Sequence, residues 1–302
     1  MALKYIDRRG TDSAKWDALD SQFGDPDLLA MWVADMDFKE APCITEALKK
    51  YIDTAAFGYY SPGKGYFDPF IEWEKKYHGY EVKREWICFA PGIVPAFNWV
   101  LLWATKPDDA VILLTPVYYP MINAAKWNDR TLIQCDLVRN GMDYTIDFEK
   151  FEKDIVENDV KLFIMSSPHN PIGRVWTPEE LRRLMEICRK HNVLVISDEI
   201  HQDFVFGDNK HYPTATLGDY DDFCITMTAA SKTFNLAGLQ NSIVIIPNEE
   251  LRERYLDYQR RIHTYDGNAF GFVAVEAAYK GGRAWLEEIK TQIYSNFEYV
   301  RD

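Results

Sequence analysis

The sequence has no C-x-x-C pair, and its five cysteines, Cys43, Cys88, Cys135, Cys188 and Cys224, are odd in number and far apart. This excludes a disulfide framework and matches buried thiols in a reducing compartment. No apolar stretch approaches the roughly 20 residues of a membrane span. The opening MALKYIDRRGTDSAKWD is too polar and too acidic for the apolar core of a signal peptide. A cytoplasmic protein with no membrane partner is expected. There is no Lys/Arg block either, and a formal charge of −13, from 34 basic and 47 acidic residues, would repel a phosphate backbone. Nucleic acid is therefore not an expected partner. Repeats and low-complexity linkers are absent. What remains is 302 residues, 47% hydrophobic and 27% charged, a balance that excludes whole-chain disorder and leaves room for one large or two modest domains.

Short β-branched runs alternate with amphipathic stretches between about residues 86 and 246. Seven strands are predicted: WICFA (86–90), AVILL (110–114), TLIQC (131–135), KLFIM (161–165), VLVIS (193–197), FCITM (223–227) and SIVII (242–246). Runs apolar on both faces suit a mostly parallel sheet sandwiched by helices, an α/β fold. Thr177-Pro178-Glu179-Glu180 predicts a capped helix start before LRRLMEICRK, with Thr177 as cap and Glu180 closing a capping box. Three parts are expected: an N-terminal piece of a small domain (1–40), a large domain (41–280), and the start of the rest of the small domain (281–302). A helix beginning at Ala284 carries an apolar stripe of Trp285, Leu286, Ile289, Ile293, Tyr294 and Phe297. Because that helix stops at once, the small domain is expected to be incomplete, its stripe to have little to cover it, and stability and activity to suffer.

In open α/β sheets ligands bind beyond the carboxyl ends of the strands. Ser166-Ser167-Pro168-His169-Asn170-Pro171 follows KLFIM, Asp198-Glu199-Ile200-His201 follows VLVIS, and Thr228-Ala229-Ala230-Ser231-Lys232-Thr233 follows FCITM. Each has a bland reading alone: Asn170-Pro171 as a turn, Asp198 as a helix cap, Lys232 as a solvated lysine. Together, an amide, an acid and a lysine at one sheet edge are what a pyridine aldehyde cofactor, pyridoxal 5'-phosphate, requires. Lys232 would form the Schiff base and later move the α-proton, Asp198 would partner the ring nitrogen, and Asn170 would serve the phenolic oxygen. Ala90-Pro91-Gly92-Ile93 before AFNWVLLWA reads as a glycine turn into a helix N-terminus, a place for the phosphate, to which Ser231 could add a hydroxyl. An aromatic of Thr115-Pro116-Val117-Tyr118-Tyr119-Pro120 could stack on the ring, although a tyrosine pair in a loop is also ordinary packing. Asp198, Glu199, His201 and Asp203 make a poor zinc site, since no second histidine or cysteine has ligand spacing, and no metal is expected.

The runs PGIVPAF, TPVYYP, SSPHNPIGRVWTPEEL, SDEIH and ASKTFNLAGL, in that order, resemble class I/II aminotransferases of the fold-type I pyridoxal phosphate superfamily. MWVADMDF (31–38), FGYYSPGKGY (57–66) and DEIH narrow the resemblance to the cystathionine or cysteine-S-conjugate β-lyase, cystalysin-like branch. It runs from about Trp32 to the end of the chain. The resemblance implies Lys232 as the cofactor-bearing lysine, Asp198 at the pyridine nitrogen, Asn170 at the phenolic oxygen and Tyr118 on the ring. It implies Gly92, Ile93 and Ser231 at the phosphate, joined by Tyr59 from a neighbouring subunit, hence a homodimer. Val33, Ala34, Asp35 and Tyr119 would face an amino acid substrate. Two positions depart from the wider family. His201 stands where many relatives have tyrosine, either as a cofactor contact or as a hydrogen-bonded neighbour. Gln240 stands where many have a phosphate-binding arginine. The arginine that holds the substrate carboxylate in relatives falls beyond residue 302, and Arg260, Arg261 and Arg283 are weak candidates to replace it. Three functions stay open: carbon–sulfur β-lysis giving pyruvate, ammonia and a thiol; transamination from the same carbanion; and a catalytically weak relative acting as a binding module.

Overall fold

The computed structural model describes residues 3–301. All seven predicted strands form, each within about a residue of its expected bounds: β1 (Ile87–Ala90), β2 (Ala110–Thr115), β3 (Thr131–Asp136), and, beyond a small hairpin of β4 (Val138–Asn140) and β5 (Asp143–Thr145), β6 (Leu162–Ser166), β7 (Leu194–Asp198), β8 (Cys224–Thr228) and β9 (Ser242–Ile245). The main sheet has the order β1-β9-β8-β7-β6-β2-β3. Pairings among β3, β2, β6, β7 and β8 are parallel, whereas β9 is antiparallel to both β8 and β1. Two reversals restore direction, so β1 runs with the other five and β9 alone is turned round. The hairpin was not foreseen. Its strands are short and polar, and its signal is Asn140-Gly141, where Gly141 takes the left-handed φ of +62° that a tight turn demands.

The central strands are dry on both sides, as their composition predicts. Along β2, Val111 and Leu113 enter one core with Leu162, Ile164, Ile196 and Ile225, while Ile112 and Leu114 enter the other with Phe163, Met165 and Val195. Burying each such side chain contributes roughly 1.5–3 kcal/mol, and the alternation fixes the register, because a one-residue slip would exchange the two faces. The first core is closed by the apolar helix Ile93–Ala104, which buries Ala96, Phe97, Val100 and Leu101 against the sheet. The second is partly closed by Pro178–Lys190. There the capping box forms as predicted: Thr177 Oγ1 accepts from Glu180 N at 3.2 Å and Glu180 Oε2 accepts from Thr177 N at 2.8 Å. Among the described residues no helix is long and apolar enough to cross a membrane.

The expectation of an uncovered stripe on the last helix needs correction. That helix runs Arg283–Arg301, and Trp285, Leu286 and Ile289 are buried in the second core. Trp285 Nε1 also donates to Lys39 O at 3.0 Å. Ile293 is partly buried, so the half of the stripe nearest the helix start is covered by this chain, whereas Tyr294, although stacked near Phe206, stays exposed. Phe297 remains 59% exposed.

Candidate active site

Because β1, β2, β6, β7 and β8 run the same way, the segments that leave them emerge on one edge of the sheet. β6, β7 and β8 are adjacent, with Ser166 opposite Asp198 and Asp198 opposite Met227. Asn170, Asp198 and Lys232 thus follow neighbouring strands, with roughly 4.8 Å per strand step. The loop bearing Asn170 is pinned to the edge. Ser166 Oγ accepts from Asn170 N at 3.2 Å and donates to Pro168 O at 3.0 Å, and Ser167 N donates to Asp198 O at 2.9 Å. Tyr118 N donates to Asn170 O at 3.0 Å, and His169 Nε2 donates to Pro116 O at 2.9 Å, which ties the loop after β2 to the loop after β6. Burial pushes the pKa of His169 down, against the pull of its backbone hydrogen bonds.

Asp198 is buried at the end of β7. Its Oδ1 accepts from Ile200 N at 3.1 Å, and among the described residues no donor reaches Oδ2. Burial raises its pKa to about 7, with the Lys232 charge pulling the other way. Lys232 is half-buried, and burial lowers its pKa against the attraction of Asp35 and Asp198. Its Nζ donates to Ala34 O at 2.9 Å. Nearby His201 is pushed down to about 4, first by burial and then by Lys232, so it is a neutral imidazole at ordinary pH. Lys232, His201, Ala34, Asp35, Lys15 and Phe204 line part of a cleft of about 490 Å³.

The near side of this cleft is a strap, residues 33–38, whose fixings the sequence reading missed. Asn235 clamps it with its side-chain amide: Oδ1 accepts from Met36 N at 2.8 Å, and Nδ2 donates to Met36 O at 3.0 Å and to Glu40 Oε1 at 3.1 Å. Lys15 Nζ lies 2.6 Å from Asp37 and 3.3 Å from Asp35, and Arg8 Nη1 is 2.8 Å from Asp35. Lys15 is only 7% exposed, and a cation that dry is tolerated because two carboxylates face it. Asn235 did carry a signal, its place three residues after Lys232 within ASKTFNLAGL; in the fold its backbone is left-handed at φ +55°. Lys15 and Arg8 carried none.

Other expected positions fall as follows. Gly92 is the N-cap of Ile93–Ala104, so its successors present free N–H groups at the shared edge; its φ of −175° is ordinary extended backbone. An added Cβ would sit 3.3 Å from Pro95 Cδ, a tight contact with the first turn of the helix. Ser231 lies on the one-turn helix Ala230–Thr233. Half-buried Tyr118 has its pKa raised by burial, then by Tyr119 and Asp198. Tyr119 is exposed, with its ring 5.5 Å from that of Tyr118. Val33 belongs to the strap but does not line the cleft, and Tyr59 is fully exposed on a loop outside it. Gln240 is exposed just before β9, in a left-handed conformation. The three candidate arginines do not reach the cleft: Arg260 and Arg261 pair with Asp257, and Arg283 pairs with Glu287 and lies over the Tyr77 ring.

This architecture has known counterparts. The chain is 42% identical to cystathionine beta-lyase PatB of Bacillus subtilis (strain 168), over 97% of this chain and 76% of that protein. It is 31% identical to protein MalY of Escherichia coli (strain K12), over 99% and 77% respectively. The crystal structure of cystalysin from Treponema denticola, which contains a pyridoxal 5'-phosphate cofactor, superimposes with a TM-score of 0.95 at 36% identity, covering 99% of this chain and 78% of that one. Residues 27–302 match the family model described as aminotransferase class I and II, so a lysine, an acid and an amide at the edge of a mostly parallel sheet are set here in a chain that belongs to the class I and II aminotransferase family.

Proposed function

We propose that this protein is a pyridoxal 5'-phosphate-dependent carbon–sulfur β-lyase that converts cystathionine or another S-substituted cysteine, with water, into pyruvate, ammonia and a thiol. The observation that carries it is the adjacency of Asn170, Asp198 and Lys232 on three neighbouring strand ends, in a chain similar to a cystathionine beta-lyase and to cystalysin. The residues fit the cofactor. Asp198 offers a buried carboxyl whose Oδ2 is unengaged, suited to a protonated ring nitrogen; Asn170 serves the phenolic oxygen, and Tyr118 the ring face. Gly92 and Ile93, with the hydroxyl of Ser231, serve the phosphate at a helix N-terminus. When bound, the cofactor draws electrons from the substrate α-carbon.

The chain's own residues do the rest. The lowered pKa of Lys232 favours a neutral amine once substrate has released it, and Nζ then takes the α-proton. The Ala34 carbonyl gives that amine a fixed acceptor on the strap, beside Asp35 on the substrate side. Neutral His201 borders Lys232 without adding a charge that would compete for the proton. Loss of the α-proton and departure of sulfur from Cβ leave an enamine, which water hydrolyses to pyruvate and ammonia. Incubation with cystathionine is expected to release pyruvate, ammonia and a free thiol without any added keto acid; strict dependence on a keto acid would make the protein an aminotransferase instead.

The active unit is a homodimer. Tyr59, fully exposed, reaches no group of its own site, and Phe57 beside it is also largely exposed, which suits a surface covered by a second copy. Tyr59→Phe is expected to weaken cofactor binding about tenfold, the loss of one hydrogen bond to a charged group, with the dimer intact by sedimentation. An unchanged dissociation constant removes Tyr59 from the phosphate. The described part of segment 1–40 and the helix Arg283–Arg301 form two parts of one smaller domain, supported by the Trp285–Lys39 hydrogen bond. Five unpaired cysteines, four of them buried, suit the cytoplasm.

A further inference from the structure

Site residues are followed in the chain by residues that enter a buried polar layer behind the cleft. Glu199 follows Asp198, Gln202 and Asp203 follow His201, and Thr233 follows Lys232, all at most 5% exposed. Glu199 accepts from Ser197 Oγ at 2.7 Å and Thr214 N at 2.9 Å and is bonded to His211 Nε2 at 2.9 Å, while Gln202 Nε2 donates to Glu74 Oε1 at 2.6 Å. Asp203 joins the most distant pieces. Its Oδ1 accepts from Trp73 Nε1 and His78 Nε2, each at 3.1 Å, and its Oδ2 accepts from Thr233 Oγ1 at 2.7 Å. One carboxylate therefore links the helical stretch 64–78, the turn after β7, and the short helix after β8.

That short helix cannot orient itself. Ala230–Thr233 is a single turn, and one turn costs more conformational entropy than its hydrogen bond returns. The direction of Lys232 must come from tertiary contacts, and the Thr233 hydroxyl supplies one in the adjacent residue. Burial works against charge on Asp203, yet its donors hold its pKa below the ordinary carboxylate value. The bond to Thr233 is thus charge-assisted and shielded from water, the condition under which a hydrogen bond fixes geometry most firmly.

We propose that Asp203 is a positioning residue that, through Thr233, aims Lys232 Nζ at the reacting carbon. This rests on Lys232 being the cofactor-bearing lysine. A merely structural Asp203–Thr233 bond would lower the melting temperature and leave each folded molecule fully active. A positioning bond would lower kcat with little change in KM.

The test compares wild type, Thr233→Val and Thr233→Ser, each loaded with pyridoxal 5'-phosphate. Thr233→Val is expected to lose about 10- to 100-fold in kcat, the scale of a small misplacement of a reacting group, with KM little changed and the visible circular dichroism of the bound cofactor weakened relative to its absorbance. Thr233→Ser, which keeps the hydroxyl, is expected to restore both. Wild-type kcat and dichroism in Thr233→Val, or equal damage in Thr233→Ser, overturn the proposal. Should Thr233→Val not fold, Thr233→Ala is read by the same criteria. Borohydride trapping on wild type separates the two levels: a label on another lysine overturns the site assignment itself, whereas a label on Lys232 with an unaffected Thr233→Val overturns the positioning role alone.

Discussion

Lys232→Ala protein is expected to fold and yet to release pyruvate from cystathionine at least about a thousandfold more slowly than wild type, since in the proposed mechanism one substitution removes both the covalent anchor and the base. The residue projects from a one-turn helix into the cleft, half-buried, with Nζ on the Ala34 carbonyl, so its loss leaves both sheet cores untouched. Borohydride reduction of loaded wild type followed by peptide mapping should place the label on Lys232, and the variant should carry none. Pyruvate release by Lys232→Ala within tenfold of wild type would remove this residue from the chemistry.

Asp198→Asn has the second largest expected effect: if Asp198 partners the ring nitrogen as proposed, α-proton exchange should fall about 10²- to 10⁴-fold. A stability signature goes with it. In the cofactor-free protein the Asp198 carboxyl titrates at about 7, whereas unfolded aspartate titrates near 3.9. Between those values the folded chain holds a proton that the unfolded chain has lost. The group's contribution is fully present below about pH 4 and is lost as pH rises through 7, on the order of 2–4 kcal/mol in all. The amide that replaces the carboxyl does not titrate, so the variant should lose less stability than wild type between pH 5 and pH 7. Glu40 and Glu74, also raised to about 7 by burial, act in the same direction, while His201, lowered to about 4, acts in the opposite one. All three remain in both proteins and cancel in the comparison. Melting curves of the two cofactor-free proteins at both pH values measure the difference, and equal slopes would mean that the carboxyl is ionised throughout.

Much of the architecture was legible because its signal is local. A parallel strand with two dry faces must be apolar at every position, and VLVIS and AVILL are. The reversal of β9 was not legible, because SIVII has the same composition as its neighbours; direction depends on the path between strands, which no run of side chains encodes. The placement of Asn170, Asp198 and Lys232 along one edge was legible for a related reason: each stands within a few residues of a strand end, and the parallel strands that precede them are neighbours. Lys15, Arg8 and Asn235 act on the strap across gaps of 20 to 199 residues, and a lysine in a polar segment looks solvated until its two carboxylates are seen. Tyr294 and Phe297 of the apolar stripe from Trp285 stay exposed, whereas the part up to Ile293 forms a packed face. What it faces lies far back in the chain, at Lys39 and within the second core.

The strap sets an order of assembly. Ala34 and Met36 contact Lys232 and Asn235 across 198 and 199 residues, whereas β6, β7 and β8 each pair with a strand close by in the chain. Loop-closure entropy and contact order both place the short-range pairings first. During synthesis at roughly 5–20 residues per second, the strap emerges some 10–40 s before its partners exist. Its acids, Asp35 and Asp37, pair in the folded chain with Arg8 and Lys15, which lie close to it in sequence, so their charge partners do not depend on the lysine loop. Docking of the strap onto the lysine loop is thus expected to be a late event, with the cleft open on that side while the rest of the sheet forms.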